Sequence, residues 1–152
     1  MARNEIVAND SKQYIVVRID NERYGIDITF VDNIVRMQKI TRVPKAQPYF
    51  KGVINLRGEV VPVMSMRLRM EQPDDVYTGA SRIIIVKMEA AASCGLTVDE
   101  VIGVVVLENS EIDRMNNSKD DKQMFINGIG KHEGQLISLL DLNKLIGEIE
   151  PE

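Results

Sequence analysis

The chain has 152 residues, of which 44% are hydrophobic and 28% are charged, a balance typical of a soluble globular domain. Its net charge of -4 and the lack of any dense Lys and Arg cluster argue against nucleic acid as a partner. The single cysteine, Cys94, excludes an internal disulfide, and no apolar run approaches the roughly 20 residues of a membrane span. We therefore expect a cytoplasmic protein with no direct membrane insertion.

The start of the chain predicts a tail followed by a hairpin. Residues 1–12 are polar and unpatterned, as expected of a frayed terminus. The segment "QYIVVRIDNERYGIDI" then contains two strand-like runs on either side of Asp20-Asn21. Both residue types tolerate the left-handed backbone of a tight turn, so the segment predicts a β-hairpin.

A short helix is predicted next, over the segment "FVDNIVRM". Thr29 precedes it and is a residue type suited to an N-cap. Val31, Ile34 and Val35 follow at the i, i+3, i+4 spacing of one helix face. This pattern predicts a helix of about two turns.

The middle of the chain predicts a loop and a second hairpin. Pro44 and Pro48 exclude a central strand from "KITRVPKAQPYFKG" and favour an extended connection. The segment "GVINLRGEVVPV" then predicts two strands that meet at Arg57-Gly58. The polar segment "RMEQPDDVYTGAS" is the expected boundary between two halves.

The second half repeats this order of elements. "SRIIIVKM" and "SCGLTVDEVIGVVVL" predict strands, "NNSKDDKQ" predicts a solvated loop, and "INGIGKHEGQLISLLDLNKLIGEI" predicts a hairpin that runs into a short amphipathic helix. The acidic end of the chain, residues 147–152, is expected to be a flexible tail.

An internal repeat relates the two halves. With the first hairpin laid on the last, Gly52 meets Gly128 and Gly58 meets Gly134. With "YGIDITFVDNIV" laid on "CGLTVDEVIGVV", Gly25 meets Gly95, and Val31 and Ile34 meet Val101 and Val104. Matched glycines indicate matched backbone requirements. A small sheet is marginal alone, so we expect two similar β units, about residues 13–70 and 81–146, that pack on a shared core as one domain.

No catalytic group of residues is apparent. The only histidine, His132, falls at the expected tip of the last hairpin, and Cys94 lies within a strand as a small core residue would. Asp27, Asp99 and Asp141 have no spacing that indicates an acid and base pair, and turn or capping bonds are their expected duty. We expect no enzyme, no metal and no cofactor, and a binding or scaffolding module instead.

The chain resembles the CheW family of bacterial chemotaxis coupling proteins. The resemblance is carried by "YGIDITFVDNIV", "ITRVPKAQPYFKGVINLRGEVVPVMSMR", "GLTVDEVIGVV" and "GIGKHEGQLISLLDLNKLI". It implies two SH3-like five-stranded β-barrels packed around a shared hydrophobic core, without catalysis. It also implies two partners, the cytoplasmic tip of methyl-accepting chemotaxis receptors and the regulatory domain of the histidine kinase CheA, with ring contacts between CheW-like domains.

The resemblance also implies site residues. Arg57 is the arginine of the family's N-L-R-G segment, and other positions match those tied to the receptor groove or its integrity. The receptor-facing set is Val31, Ile34, Lys51, Gly52, Arg57, Gly95, Val101 and Val104. The kinase-facing set, at the end of the first barrel, is Ile40, Arg42 and Val43.

Residues alone leave the role of the apolar set open between a groove lining and the shared core. The chain departs from the family at Ser65, where an aspartate is common, and near Met70, where a glycine is common. The serine predicts the loss of a capping bond that Asp141 would keep in the second half. Three alternatives also stay open: a detached regulatory domain of a CheA-like kinase, a CheV-type protein, for whose receiver domain 152 residues leave no room, and a small β-barrel enzyme or ligand-binding protein.

Overall fold

The computed structural model describes residues 11–88, 93–114 and 125–146. Within these ranges the chain is mostly strand, with two short α-helices and two single 3-10 turns. The strands are β1 (Ser11–Ile19), β2 (Glu22–Asp27), β3 (Val31–Arg36), β4 (Phe50–Leu56), β5 (Glu59–Ser65), β6 (Arg82–Lys87), β7 (Ser93–Val98), β8 (Glu100–Glu108), β9 (Ile112–Arg114), β10 (Ile126–His132) and β11 (Gln135–Leu140). The helices are α1 (Met66–Arg69) and α2 (Leu142–Ile146).

The strands form two sheets that correspond to the two expected barrels. One sheet has the order β3-β6-β7-β5-β4, and the other has the order β8-β1-β2-β11-β10-β9. In the first, an isolated bridge between Thr41 and Val53 joins the chain after β3 to β4. In the second, β9 follows β8 and pairs with β10. In each sheet, the chain that follows one edge strand (β3 or β8) pairs with a strand at the opposite side of the sheet (β4 or β10). This pairing closes the sheet into a barrel.

Each sheet draws strands from both halves of the chain. β3, β4 and β5 of the first half pair with β6 and β7 of the second, while β1 and β2 pair with β8 and β11. The repeat divides the sequence between residues 70 and 81, but the sheets do not follow this division. Each sheet contains strands from both halves. We name the sheets by their hairpins: barrel A contains the β4-β5 hairpin, and barrel B contains the β10-β11 hairpin.

The buried side chains form three clusters. Ile54, Val61, Val63, Ile83 and Ile85 fill barrel A. Tyr14, Val16, Leu107, Ile112, Ile137 and Leu139 fill barrel B. The largest cluster takes side chains from both sheets and both helices, including Ile26, Met64, Val86, Leu96 and Leu145. This is the shared core expected from the repeat, and burial of its apolar area is the main force that joins the barrels.

The matched glycines of the repeat lie inside the barrels. A Cβ atom at Gly25 would meet Leu139 Cδ2 at 2.8 Å, and a Cβ atom at Gly95 would meet Ile83 Cγ2 at 2.7 Å. Side chains of the neighbouring strands pack closely over both glycines, so an added methyl group would have to displace them. The symmetry seen in the sequence is therefore a symmetry of packing.

The predicted helix over "FVDNIVRM" is wrong. A 3-10 turn, Ile28–Phe30, is capped by Asp27, whose carboxylate accepts from the Thr29 N–H at 3.0 Å. The following residues form β3, with a β-bulge between Val31 and Asn33. The bulge adds one residue to the strand, so two apolar side chains three apart return to one face and imitate helical spacing.

The chain differs from expectation at three further places. β1 begins at Ser11, within the segment expected to be a tail, and residues 1–10 lie outside the described residues. His132 is the last residue of β10 and not the turn tip, which is Glu133-Gly134. The short helix α1 was not predicted, whereas α2 was. The expected loop "NNSKDDKQ" and the acidic tail lie outside the described residues.

Candidate partner-binding surfaces

Val31 and Val101 lie at the margin of the shared core. Both are partly buried and pack against it. Val31 pairs with Val86 in β6, and Val101 pairs with Val17 in β1, so each continues a row of core side chains. Because both valines are partly buried, a partner could contact only the part of each side chain that remains exposed at the edge of the shared core.

Ile34 and Val104 extend the same two rows outwards. Ile34 pairs with Ile84, and Val104 pairs with Ile15, and both of these partners belong to the shared core. Ile34 is nevertheless 37% exposed and Val104 is 53% exposed. The bulge in each strand is what aligns the valine and its neighbour three residues later. The four apolar positions predicted from the repeat therefore lie along two equivalent edge strands, with the inner pair against the shared core and the outer pair exposed.

Arg57 occupies the tip of the β4-β5 hairpin. Its φ is 53° and that of Gly58 is 85°, as in the two-residue turn that joins twisted strands. The Gly58 N–H donates to Asn55 Oδ1 at 3.1 Å. Asn, Asp or Gly is the usual first residue of such a turn, so the arginine is held in backbone geometry that costs it about 1 kcal/mol. The side chain of Arg57 is exposed at this tip.

Lys51 is engaged within the chain. Its Nζ lies 2.8 Å from Asp74 Oδ1 and 3.9 Å from Asp75 Oδ2, and its side chain is 22% exposed. The lysine therefore ties β4 to the connection between α1 and β6. This role was not predicted from the sequence.

Gly52 and Gly95 are buried and take part in packing. Gly52 has a φ of 140°, and a Cβ atom there would fall 2.1 Å from Thr41 O. Gly95 faces the interior of barrel A. Because both glycines are buried, neither can contact a partner directly. Each would affect binding only by maintaining the shape of the barrel.

The predicted kinase-facing residues lie in the connection from β3 to β4, which the bridge between Thr41 and Val53 holds beside β4. Arg42 and Val43 are exposed, and Ile40 is half-buried against the barrel interior. Ile40 and Arg42 also line an open groove of about 640 Å³, which Lys51 borders as well. The loop predicted from the two prolines forms one wall of this groove.

A buried polar cluster joins the two barrels, and sequence analysis missed it. Asp99 lies where the chain crosses from β7 to β8, and it is 7% exposed. Its carboxylate accepts from Arg67 Nη2 at 2.7 Å and from the Asp20 N–H at 2.7 Å. The bond to Asp99 raises the pKa of the Arg67 guanidinium. Because Arg67 follows barrel A and Asp20 belongs to barrel B, the cluster fixes one barrel against the other. The spacing of these residues in the sequence did not indicate that they would meet.

The pKa values of Asp74 and Asp75, which are neighbours in the connection after α1, shift in opposite directions. The bond from Lys51 lowers the pKa of Asp74. Burial raises the pKa of Asp75, against hydrogen bonds from Ser65 and Thr97 that lower it. The connection is thus held against barrel A by the ion pair of Asp74 with Lys51 and by the buried, hydrogen-bonded carboxylate of Asp75.

Ser65 retains the capping bond that its departure from the family was expected to remove. Its Oγ accepts from the Leu68 N–H at 3.1 Å at the start of α1. The equivalent Asp141 Oδ1 accepts from the Lys144 N–H at 3.2 Å at the start of α2. Serine is as good a cap as aspartate, and here its hydroxyl also serves the neighbouring carboxylate of Asp75.

The described residues contain neither a metal-binding cluster nor a membrane-spanning helix. In residues 11–88, 93–114 and 125–146, no group of three or more His, Cys, Asp or Glu side chains could hold a metal ion. No helix within the same ranges is long and apolar enough to cross a membrane. Burial raises the pKa of the Cys94 thiol to about 12, as expected of a core cysteine.

The double barrel, with its exposed apolar edge strands and charged hairpin tip, has the surface of a protein-binding module. Residues 13–150 match the family described as "CheW-like domain", and the chain belongs to that family. It is 36% identical over 136 residues to the chemotaxis protein CheW of Bacillus subtilis, a match that covers 89% of this chain and 86% of that protein. It is 31% identical over 145 residues to the chemotaxis protein CheW of Thermotoga maritima, with 94% of each covered.

A solved structure shares the fold. The crystal structure of the scaffolding protein TtCheW from Thermoanaerobacter tengcongensis superposes with a TM-score of 0.83 at 30% identity. The match covers 93% of this chain and 95% of that one. The arrangement of two SH3-like barrels is therefore common to both proteins.

Proposed function

We propose that this chain is a cytoplasmic, non-enzymatic chemotaxis adaptor, which couples the cytoplasmic tips of chemoreceptors to the histidine kinase CheA in membrane-associated arrays. The observation that carries the proposal is agreement over 89% to 94% of the chain, with relatives named as chemotaxis protein CheW and with a structure titled as a scaffolding protein. Because the agreement includes both barrels, it supports the role of a scaffold.

The receptor tip is expected to dock as a helix in a groove, through its apolar side chains. Val31 and Val101 would form the floor, since they pack on the shared core, and the exposed Ile34 and Val104 would contact the partner helix. This division assigns direct contact to the outer pair and support to the inner pair.

Arg57 would add a polar contact to the same partner. A planar guanidinium can give two parallel hydrogen bonds to a carboxylate or to helix-terminal carbonyls. Within the described part of the chain, Arg57 makes no ion pair, so its donors remain available to a partner.

The kinase would occupy a separate face, at the end of barrel A that carries Ile40, Arg42 and Val43. Exposed strand edges and loops at barrel ends let similar domains pack end to end. The same kind of contact would permit rings that contain several CheW-like domains. Separate faces would allow one molecule to hold both partners at once.

Paired substitutions test the receptor surface. We expect Arg57→Ala to weaken binding of a receptor-tip fragment by about 30-fold, or about 2 kcal/mol, and Ile34→Ser to weaken it similarly. Glu133→Ala changes the equivalent hairpin tip, and Val76→Ser changes a valine that is 68% exposed. These controls should bind the receptor normally.

Folding is monitored by urea denaturation of every variant. Changes at Arg57, Glu133 and Val76 should alter the free energy of unfolding by less than about 0.5 kcal/mol, whereas Ile34→Ser, at a partly buried position, should cost about 1 kcal/mol. Loss of receptor binding with an equal loss of stability, or equal losses in the controls, would contradict the assignment of these residues.

A further inference from the structure

Positive charge is concentrated in one stretch of an otherwise acidic chain. The net charge is -4, yet residues 33–58 contain no Asp or Glu. The cations of this stretch are Arg36, Lys39, Arg42, Lys45, Lys51 and Arg57. The stretch runs from β3 through the proline-containing loop to the β4-β5 hairpin, so barrel A carries a locally positive surface.

Three of these cations border the 640 Å³ groove at the end of barrel A. Lys39 and Arg42 are exposed and border it from the segment after β3, and Lys51 borders it from β4. Apolar side chains line the space between them, among them Met37, Phe50 and Leu68. The groove therefore offers an apolar floor with cationic rims.

One rim is already occupied by a segment of opposite charge. The segment "EQPDDVY", residues 71–77, places Asp74 against Lys51 at 2.8 Å, and Tyr77 also borders the groove. On the segment after β3, neither Lys39 nor Arg42 has an acidic partner within ion-pair distance in the described part of the chain. The chain's own acidic segment thus shows that a carboxylate can pair with a cation of the groove while an aromatic side chain borders the same space.

We propose that this groove binds an extended acidic peptide segment of a protein partner, with carboxylates against Lys39 and Arg42 and an apolar or aromatic side chain on the floor. The inference rests on the proposed function, because Ile40 and Arg42 belong to the surface assigned to the kinase. It adds the chemistry of recognition: charge complementarity selects an acidic segment, and the apolar floor selects one with a hydrophobic anchor. The carboxylate of Asp74 on the rim disfavours a densely charged polyanion.

The probe is a synthetic peptide with the sequence of residues 71–77, acetylated and amidated, titrated into the full-length protein labelled for backbone NMR. Resonances of the groove residues should shift, and the affinity should fall as salt is raised from about 0.02 M to about 0.5 M. A matched peptide with Asn in place of both Asp residues should bind at least about tenfold more weakly.

Variants locate the contact. Lys39→Glu combined with Arg42→Glu should weaken peptide binding at least about tenfold, and the milder Arg42→Gln should weaken it by a smaller factor. Lys131→Glu reverses an exposed cation on the hairpin of barrel B and should have no effect. Dispersed spectra of all variants confirm that they are folded.

Several results would overturn the inference: no shifts at millimolar peptide, shifts away from the groove, equal binding of the Asn peptide, or equal binding by the charge-reversed variant. Inorganic phosphate that shifts the groove where the peptide does not would show a simple anion site and would also overturn it. The kinase domain is titrated separately, so a groove that ignores the peptide while the kinase still binds leaves the adaptor function standing.

Discussion

Left-handed backbone at residues other than glycine marks several reversals of the chain. Arg57 and Glu133 have φ values of 53° and 50° at the tips of equivalent hairpins, and Glu71 has a φ of 62° after α1. The following Gly58 and Gly134 identified both hairpins in the sequence. No such signal accompanied Glu71, because the left-handed residue that ends a helix is usually glycine. This explains why α1 was missed.

Glu71 completes a Schellman motif. Its N–H donates to Leu68 O at 3.1 Å, and the Gln72 N–H donates to Arg67 O at 2.7 Å. We expect Glu71→Gly to raise the free energy of unfolding by about 1 kcal/mol, because glycine adopts positive φ without steric cost. Urea denaturation measures the change. Glu71→Ala serves as the control and should not stabilise the protein; stabilisation by both would show that the glutamate side chain, and not its backbone, is unfavourable.

Ser65 shows why one residue can depart from its family without loss of structure. Its hydroxyl accepts the capping bond of α1 and donates to Asp75, whose pKa is raised by burial. An aspartate at this position would retain the cap but would place two carboxylates together. The departure therefore suits its acidic neighbour.

We expect Ser65→Asp to destabilise the protein at neutral pH by about 1 to 3 kcal/mol. Repulsion raises the folded-state pKa of the pair, so the folded state binds protons more tightly and stability falls as pH rises above about 4. The loss should disappear below that pH, and Asp75→Asn should restore stability to the variant. Urea denaturation across pH measures both effects. A loss that is independent of pH would contradict the charge explanation.

At the scale of elements, the edge strands β3 and β8 show what the spacing of apolar residues can and cannot predict. The equivalence of Val31 with Val101 and of Ile34 with Val104 was visible in the repeat, and the structure places each pair on matching faces. The element type of β3 was wrong because a bulge and a helix can both align residues three apart. Bulges are set by strand pairing, which local spacing does not record.

Glycines inside the barrels give a matched test of the repeat. We expect Gly25→Ala and Gly95→Ala each to lower the free energy of unfolding by about 1 to 3 kcal/mol, because the added methyl group meets a packed side chain at 2.8 Å or 2.7 Å. Gly103→Ala in β8 meets nothing within 4 Å and should be nearly neutral. Thermal and urea denaturation compare the three. A neutral Gly95→Ala beside a costly Gly25→Ala would contradict equivalent packing in the two barrels.

At the scale of the molecule, the two halves of the chain depend on each other. The sequence repeat predicted two units and a shared core, and the three buried clusters confirm that architecture. The exchange of strands between halves could not be predicted, because the repeat would look the same if each half formed its own barrel. The Asp99 cluster was likewise hidden, since it joins side chains that are distant in the sequence.

This exchange predicts that neither half folds alone. A fragment of residues 11–75 lacks β6 and β7, and a fragment of residues 76–146 lacks β1 and β2, so each would expose unpaired strand edges and core side chains. We expect each to be largely unfolded by circular dichroism and NMR, and the mixture to regain β structure. A fragment that folds as a stable monomer would show that the halves are independent units.

The division of the surface between two partners is the central claim. The apolar rows of β3 and β8 and the tip of Arg57 are assigned to the receptor, while the end of barrel A is assigned to the kinase. One measurement addresses this division most directly: titration of the full-length protein, labelled for backbone NMR, with a receptor cytoplasmic-tip fragment and separately with a CheA regulatory domain. We predict that the receptor shifts a patch around Ile34, Val104 and Arg57, and that the kinase shifts a distinct patch around Ile40 and Arg42. Overlap of the two patches, or no shift with either partner, would contradict the account.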